Sequence, residues 1–160
     1  MILVVSDKFK GTLSSEEAGN AIACGLFPLE EERACRIVVE AMADGGEGTA
    51  GALGGTMIDG VSGLWRLPGG DMIVESAACI GRASANLMCS PLSRRSSRAF
   101  GDAVIRALRM SAPHGRVFAA IGGTSTADGG AGMLQAFGYA FYGGDGLIEE
   151  DITPEIMSDR

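Results

Sequence analysis

Short apolar runs alternating with helix-like stretches predict an α/β fold, with a mainly parallel sheet in three layers and helices on both faces. Three observations carry that expectation. Residues 2–5, 36–40, 72–75 and 116–121 read as strands, the first an apolar run suited to a strand buried on both faces. Between them lie stretches with helix-start signals or helical apolar spacing. A strand-like run also leads twice into the same turn, Ala43-Asp44-Gly45-Gly46-Glu47-Gly48 and Ala127-Asp128-Gly129-Gly130-Ala131-Gly132.

Taken in order, residues 2–5 form the first strand and a polar loop follows it. Ser14-Ser15-Glu16-Glu17 is a capping-box spelling that starts a helix, and Gly25 is expected to stop it. Residues 36–40 are the second strand; beyond the first Asp-Gly-Gly turn, 49–53 make a short helix of small residues. Residues 54–71 are Gly-rich and irregular around Trp65 and Pro68, with Trp65 covering core. Residues 72–75 form the third strand. Val104, Ile105 and Leu108 give 102–110 helical spacing, and 116–121 is the fourth strand. A helix over 129–137 and a last strand over 139–142 complete one domain, 1–160.

A chain of 160 residues can bury a real core. Its 25 glycines exceed the usual ~7% of residues, yet hydrophobic content is 46% and no collagen-like or linker-like period appears, so the glycines belong to turns. Twenty acidic against 13 basic residues, net charge −7, argue against nucleic acid or a membrane surface held by bulk electrostatics. Arginines gather at Arg94, Arg95, Arg98, Arg106, Arg109 and Arg116, while Asp145, Glu149, Glu150, Asp151, Glu155 and Asp159 make the tail acidic; both read as solvated faces. Cys24, Cys35, Cys79 and Cys89 lack C-x-x-C spacing and read as small buried hydrophobes in a reducing cytoplasm. His114 is the single histidine, which leaves no zinc constellation. With no basic leader and no apolar run near 18 residues, the expected location is cytoplasmic.

Successive glycines let backbone N–H groups form an anion-binding nest, and a following helix adds its positive end. An aspartate in such a nest repels a phosphate unless it holds a metal or accepts a proton. Nest plus Asp therefore points to phosphoryl transfer with magnesium or to polyol binding; the plainer alternative is a capped strand-to-helix turn. Lys8 and Lys10 are the only lysines, and both sit in the loop after the first strand. A compact ammonium there suits a transferring phosphoryl group, against the alternative of two solvated lysines. Gly122-Gly123-Thr124-Ser125-Thr126 offers hydroxyls and N–H groups to a phosphate or a carboxylate, or merely caps a helix. There is no Walker lysine loop and no dinucleotide fingerprint.

Asp7-Lys8-Phe9-Lys10-Gly11-Thr12-Leu13-Ser14, Met42-Ala43-Asp44-Gly45-Gly46-Glu47-Gly48-Thr49, and Gly122-Gly123-Thr124 through Asp128-Gly129-Gly130 to Gly138 resemble, in this order, the bacterial type I glycerate kinases. Weaker echoes are Val74-Glu75-Ser76-Ala77-Ala78, Pro91-Leu92 and Ser96-Ser97-Arg98-Ala99-Phe100-Gly101-Asp102. The resemblance implies a cytoplasmic two-domain α/β enzyme that uses ATP and magnesium to phosphorylate glycerate, typically to 2-phosphoglycerate.

On the matching positions, Lys8 and Lys10 would neutralise the transferring phosphoryl group and Asp128 would orient or deprotonate the attacking hydroxyl. Asp44 would hold Mg²⁺ or a glycerate hydroxyl, backed by Glu47, whose plainer reading is a first-turn carboxylate favoured by the helix dipole. Arg98 would meet the glycerate carboxylate, against the plainer reading of a surface arginine. Gly45, Gly46, Gly122, Gly123, Thr124, Ser125, Thr126, Gly129 and Gly130 would bind phosphate.

The chain departs from the family in several places. It is much shorter and lacks part of the two-domain architecture; 49–72 is shorter than usual; Ala127 stands where asparagine is common and Ser125 where alanine is; and Arg94-Arg95 reads as an insertion. An incomplete cleft would make the chain alone a weak catalyst, with self-association or a complementing carboxyl-terminal half as its expected partners. The alternative is a non-catalytic remnant that binds a ligand or assembles with a partner chain.

Overall fold

The structure, a computed structural model, describes residues 1–33, 35–58, 60, 62–82 and 90–158, with the side chains of 30–33 outside that description. β1 (Ile2–Ser6) pairs in parallel with β2 (Ile37–Ala41), Ile2 opposite Ile37. The crossover is α1 (Ser15–Arg33), which packs on both strands. Its start is the capping box read from sequence: Ser14 N–H donates to Glu17 Oε2 at 2.7 Å and Glu17 N–H to Ser14 Oγ at 3.2 Å.

Gly25 does not stop this helix, which runs on through Gly25 and Pro28. An interior glycine costs only about 1 kcal/mol relative to alanine, and packing against β1 and β2 offsets it. Gly19 is what lets α1 come close, since a Cβ there would lie 2.5 Å from Val39 Cγ1.

The second sheet is mixed, in the order β3 (Thr56–Met57), β4 (Leu64–Arg66), β5 (Met72–Glu75), β6 (Val117–Ala120). β5 and β6 run parallel, and β3–β4–β5 are antiparallel. The α/β class therefore stands with mixed pairing, and β3 and β4 lie inside residues 54–71, for which the sequence predicts irregular chain. Strands of two and three residues are too short to show a period. Gly63 makes their approach feasible: at φ +75°, a Cβ would sit 2.6 Å from the Glu75 carbonyl.

β5 is buried on both faces. Met72 and Val74 join Leu64, Ile80, Phe100 and Ala107 in the largest core cluster, while Ile73 packs with Ala50 and Ala120 on the other side. Trp65 packs against that second cluster, as expected.

From β5 the chain passes directly into α3 (Ser76–Ile80), which periodicity did not reveal. After a short 3-10 turn at Leu92–Arg94 comes α4 (Arg98–Met110), a turn longer than expected because Phe100 and Gly101 already donate to the Ser97 carbonyl. α5 (Ala131–Ala136) packs on α4 where Gly101 leaves room; a Cβ there would lie 2.7 Å from Ala136 Cβ. The expected strand over 139–142 is instead a small hairpin, β7 (Tyr142–Gly143) with β8 (Gly146–Leu147), because the chain reverses at Gly144-Asp145. α6 (Pro154–Ser158) follows.

The acidic tail is largely exposed, as its composition predicts, and part of it is also paired: Arg94 Nε bonds Glu155 Oε2 at 2.8 Å and Arg98 Nη1 meets Asp151 Oδ1 at 3.2 Å. Asp159 lies outside the described residues. Of the cysteines, Cys24 is exposed, Cys35 half-buried and only Cys79 buried, its thiol pushed up to about 11 by burial and by Glu75; Cys89 lies outside the described residues. Cys24 falls on an outward-facing turn of α1, where burial is not available. Among the described residues no helix is long and apolar enough to cross a membrane.

The bonds from Ser14 hold the Glu17 carboxyl below its ordinary value. Its stabilising effect is therefore complete above that ordinary value and disappears as pH falls through the lowered folded one. Thermal midpoints measured from pH 2 to 7 should show a shallower acid-side fall in Glu17→Gln, which keeps an acceptor without a titration, and little change at pH 7.

Candidate functional site

Ser15 brings the first two loops together. Its hydroxyl donates to the Ser6 carbonyl at the end of β1 and accepts Met42 N–H, just beyond β2, at 2.8 Å. The lysine loop and the first Asp-Gly-Gly turn thus leave the sheet side by side. The loop closes on itself through Phe9 and Leu13, with Gly11 at φ +79°.

Lys8 is drawn toward the turn by two carboxylates. Its Nζ lies 3.2 Å from Asp44 Oδ1 and 3.8 Å from Asp7 Oδ1, and its side chain is only 21% exposed. Asp44 Oδ1 also accepts Gly46 N–H at 2.9 Å, around Gly45 at φ +85°. The Gly46 amide first, then the Lys8 ammonium, hold the Asp44 carboxyl below the usual carboxylate range. Asp44 is therefore an anion at neutral pH, yet its side chain remains 64% exposed and able to meet a ligand.

The second sheet joins at this point. Gly122 N–H donates to Gly45 O at 2.8 Å, and a Cβ on Gly122 would stand 2.8 Å from Gly46 N. Only glycine permits that approach. Between the two sets of loops opens a cleft of about 700 Å³. One wall carries Asp7, Lys8, Lys10, Asp44, Gly46 and Glu47; the other carries Ala77, Ala78, Arg82, Gly123 and Thr124. This is the strand-carboxyl edge at which α/β folds bind ligands.

The duplicated spelling folds two ways. In both copies the aspartate accepts the N–H two residues on, at 2.9 Å for Asp44 and 3.3 Å for Asp128. The helices then start differently, after Gly48 in the first copy and after Gly130 in the second. Asp128 Oδ2 takes Ser97 N–H and Ser97 Oγ–H at 2.7 Å and Gly132 N–H at 3.1 Å, while Ser97 Oγ accepts Met133 N–H at 2.9 Å. At 1% exposure, Asp128 pins the start of α5 to the start of α4 and does not line the cleft. The first copy has a borrowed carboxylate: buried Glu75 accepts Ala50 N–H at 2.7 Å at the head of α2 (Thr49–Ala52).

Of the other candidates, Lys10, Glu47, Gly46, Gly123 and Thr124 come together in the cleft. Gly45 lines a separate cavity of about 510 Å³ beside β6. Gly122 is committed to the junction, and Arg95 holds the Ser125 hydroxyl. Thr126, Gly129 and Gly130 stay outside the cleft lining. Arg98 is paired with Asp151, away from the cleft.

Sequence reasoning missed Arg82. It belongs to no glycine turn and to no recognised motif, and only the antiparallel bridge between Gly81 and Thr124 brings it to the cleft. For a magnesium ion the donor chemistry fits: the exposed Asp44 carboxylate, with Asp7 and Glu47 on the same wall, suits an ion held mostly by phosphates and water. No group of three or more His, Cys, Asp or Glu forms a ready-made cage among the described residues.

Comparison with known proteins adds the lineage. The family model described as "Glycerate kinase family" matches residues 2–152. The chain is 31% identical over 157 residues to the glycerate 2-kinase of Escherichia coli (strain K12), covering 86% of this chain and 39% of that protein. Against the glycerate kinase of Bacillus subtilis (strain 168) it is 34% identical over 160 residues, covering 86% and 39%. A crystal structure described as a glycerate kinase 2 from Salmonella typhimurium LT2 shares the fold, with a TM-score of 0.69 at 24% identity, covering 98% of this chain and 49% of that one. The chain thus spans well under half the length of these curated relatives.

The different uses of the two aspartates give contrasting expectations. Asp128→Ala strands buried donors and should cost about 2–5 kcal/mol of stability in urea denaturation. Asp44→Ala should leave the urea midpoint near that of the wild type. Equal midpoints for the two variants would contradict the division of roles.

Proposed function

The chain belongs to the glycerate kinase family, and we propose that it phosphorylates a hydroxyl of glycerate with ATP in the cytoplasm, giving 2-phosphoglycerate. The observation that supports this most directly is the cleft lined by both lysines, Asp44 and two glycine turns, with Lys8 paired to Asp44. The transition state of phosphoryl transfer is loose and needs charge and position more than covalent chemistry.

Lys8, held in place by Asp44 and Asp7, and Lys10 would neutralise charge on the transferring group. Gly123 and Thr124 would cradle phosphate oxygens with backbone N–H groups and a hydroxyl, while the Gly46 N–H stays on Asp44. Asp44, anionic at neutral pH, would orient the glycerate hydroxyl and accept its proton late in the transfer, with Glu47 beside it. Asp44 and Asp7 would hold a magnesium ion, which would supply positive charge to offset that of the nucleotide phosphates. The geometry supports a positioning role for Asp128, which keeps α4 and α5 behind the turn that carries Thr124.

One observation favours a second reading. The chain covers 39–42% of its curated relatives, which suits a member that binds a ligand or assembles with a partner chain.

A coupled assay separates the two readings. D-glycerate-dependent ADP formation, with phosphoglycerate identified by ³¹P NMR, is expected for the enzyme. Its rate, whatever its absolute size, should fall about 10²-fold or more when Lys8 and Lys10 are both replaced by alanine with circular dichroism unchanged. Ligand binding without turnover would favour the second reading. An unchanged rate in the double variant would remove the lysines from the mechanism.

A further inference from the structure

Among the described residues, Arg82 and Lys10 are the cations of the cleft that no carboxylate holds. Lys8 on the facing wall is held by Asp44 and Asp7, and elsewhere Arg94, Arg98 and Arg116 pair with Glu155, Asp151 and Asp71. Arg82 makes no hydrogen bond or ion pair among the described residues, and the seven residues that follow it in sequence include no Asp or Glu.

Its place in the cleft is held by the backbone. Gly81 bridges Thr124, and a Cβ on Gly81 would run into the Ala77 carbonyl, so the chain turns out of α3 tightly at this glycine. The two walls also differ in chemistry. Lysine is a point charge suited to a moving phosphoryl group, whereas the planar guanidinium fork matches the two oxygens of a carboxylate.

We infer that Arg82 binds the substrate carboxylate and so selects glycerate over uncharged polyols, the part that the sequence had offered to Arg98. The inference rests on the glycerate kinase reading and adds the residue that sets its substrate class. Substrate lies across the cleft, its carboxylate on the Arg82 wall and its reacting hydroxyl toward Asp44 and the lysines.

Initial-rate kinetics of the wild type, Arg82→Gln and Arg82→Lys test this, with D-glycerate and with glycerol, which lacks the carboxylate. Arg82→Gln should raise KM for D-glycerate about 10- to 100-fold, the value of a charge-assisted contact, and leave KM for ATP within about twofold. Arg82→Lys should fall between them, and kcat/KM for glycerol should not change. Where turnover is slow, NMR titration of D-glycerate onto each protein should show the same ratio of Kd values.

An unchanged KM and Kd for D-glycerate in Arg82→Gln, beside an active wild type, would overturn this inference alone. A rise confined to KM for ATP would overturn it by placing Arg82 on phosphate. Loss of fold in Arg82→Gln would overturn it by making the residue structural. Neither turnover nor binding in the wild type would sink the glycerate kinase reading, and this inference with it.

Discussion

The close contact of two glycine turns, sealed by the hydrogen bond from Gly122 N–H to Gly45 O, is the constraint on which the rest of the molecule depends. β1 and β2 form one small parallel sheet, and β3 to β6 form another. They meet at their carboxyl ends, with atoms so close that a single methyl group on Gly122 would separate them. The cleft is the space left between two loop systems joined at this contact. Its glycines are thus required by geometry first, and availability to a phosphate follows only where their N–H groups still face the opening.

Carboxylates do structural duty around that junction. The short helices α2 and α5 begin at glycines, which offer no side-chain cap. Each borrows an acceptor: Glu75, reaching from β5 to α2, and Asp128, immediately ahead of α5. Helix N-termini expose donors and partial positive charge, so a buried anion there is stabilised where it would otherwise be costly. A phosphate approaching this protein meets helix ends already served by internal acceptors. Anion attraction is left to Lys8, Lys10, Arg82 and the turn at Gly123 and Thr124.

The same economy applies at the surface. The carboxyl-terminal residues, read from composition as a solvated acidic face, lie against the 3-10 turn and α4 through Arg94–Glu155 and Arg98–Asp151. Exposed pairs of this kind are worth little in stability. Their consequence here is positional, because they commit two arginines of a basic stretch to the carboxyl-terminal residues.

The α/β class, the strand at Met72–Glu75, the Ser14–Glu17 capping box and the lysine loop were legible because each rests on neighbours in sequence: an apolar run, a three-residue spacing, two lysines two positions apart. Family kinship was legible for the same reason, since its motifs are contiguous. β3, β4 and α3 were not, because two to five residues are too few for a period and their formation is decided by packing on β5. The repeated Ala-Asp-Gly-Gly spelling shows the boundary most clearly. Local chemistry determined the turn at both aspartates, but their fates were set from afar: Lys8 lies 36 positions from Asp44, and Ser97 lies 31 from Asp128. One aspartate ends in an open cleft and the other in a sealed hydrogen-bond cluster, because a side chain's partners and its access to water are properties of the packed chain, not of the four residues that spell the turn.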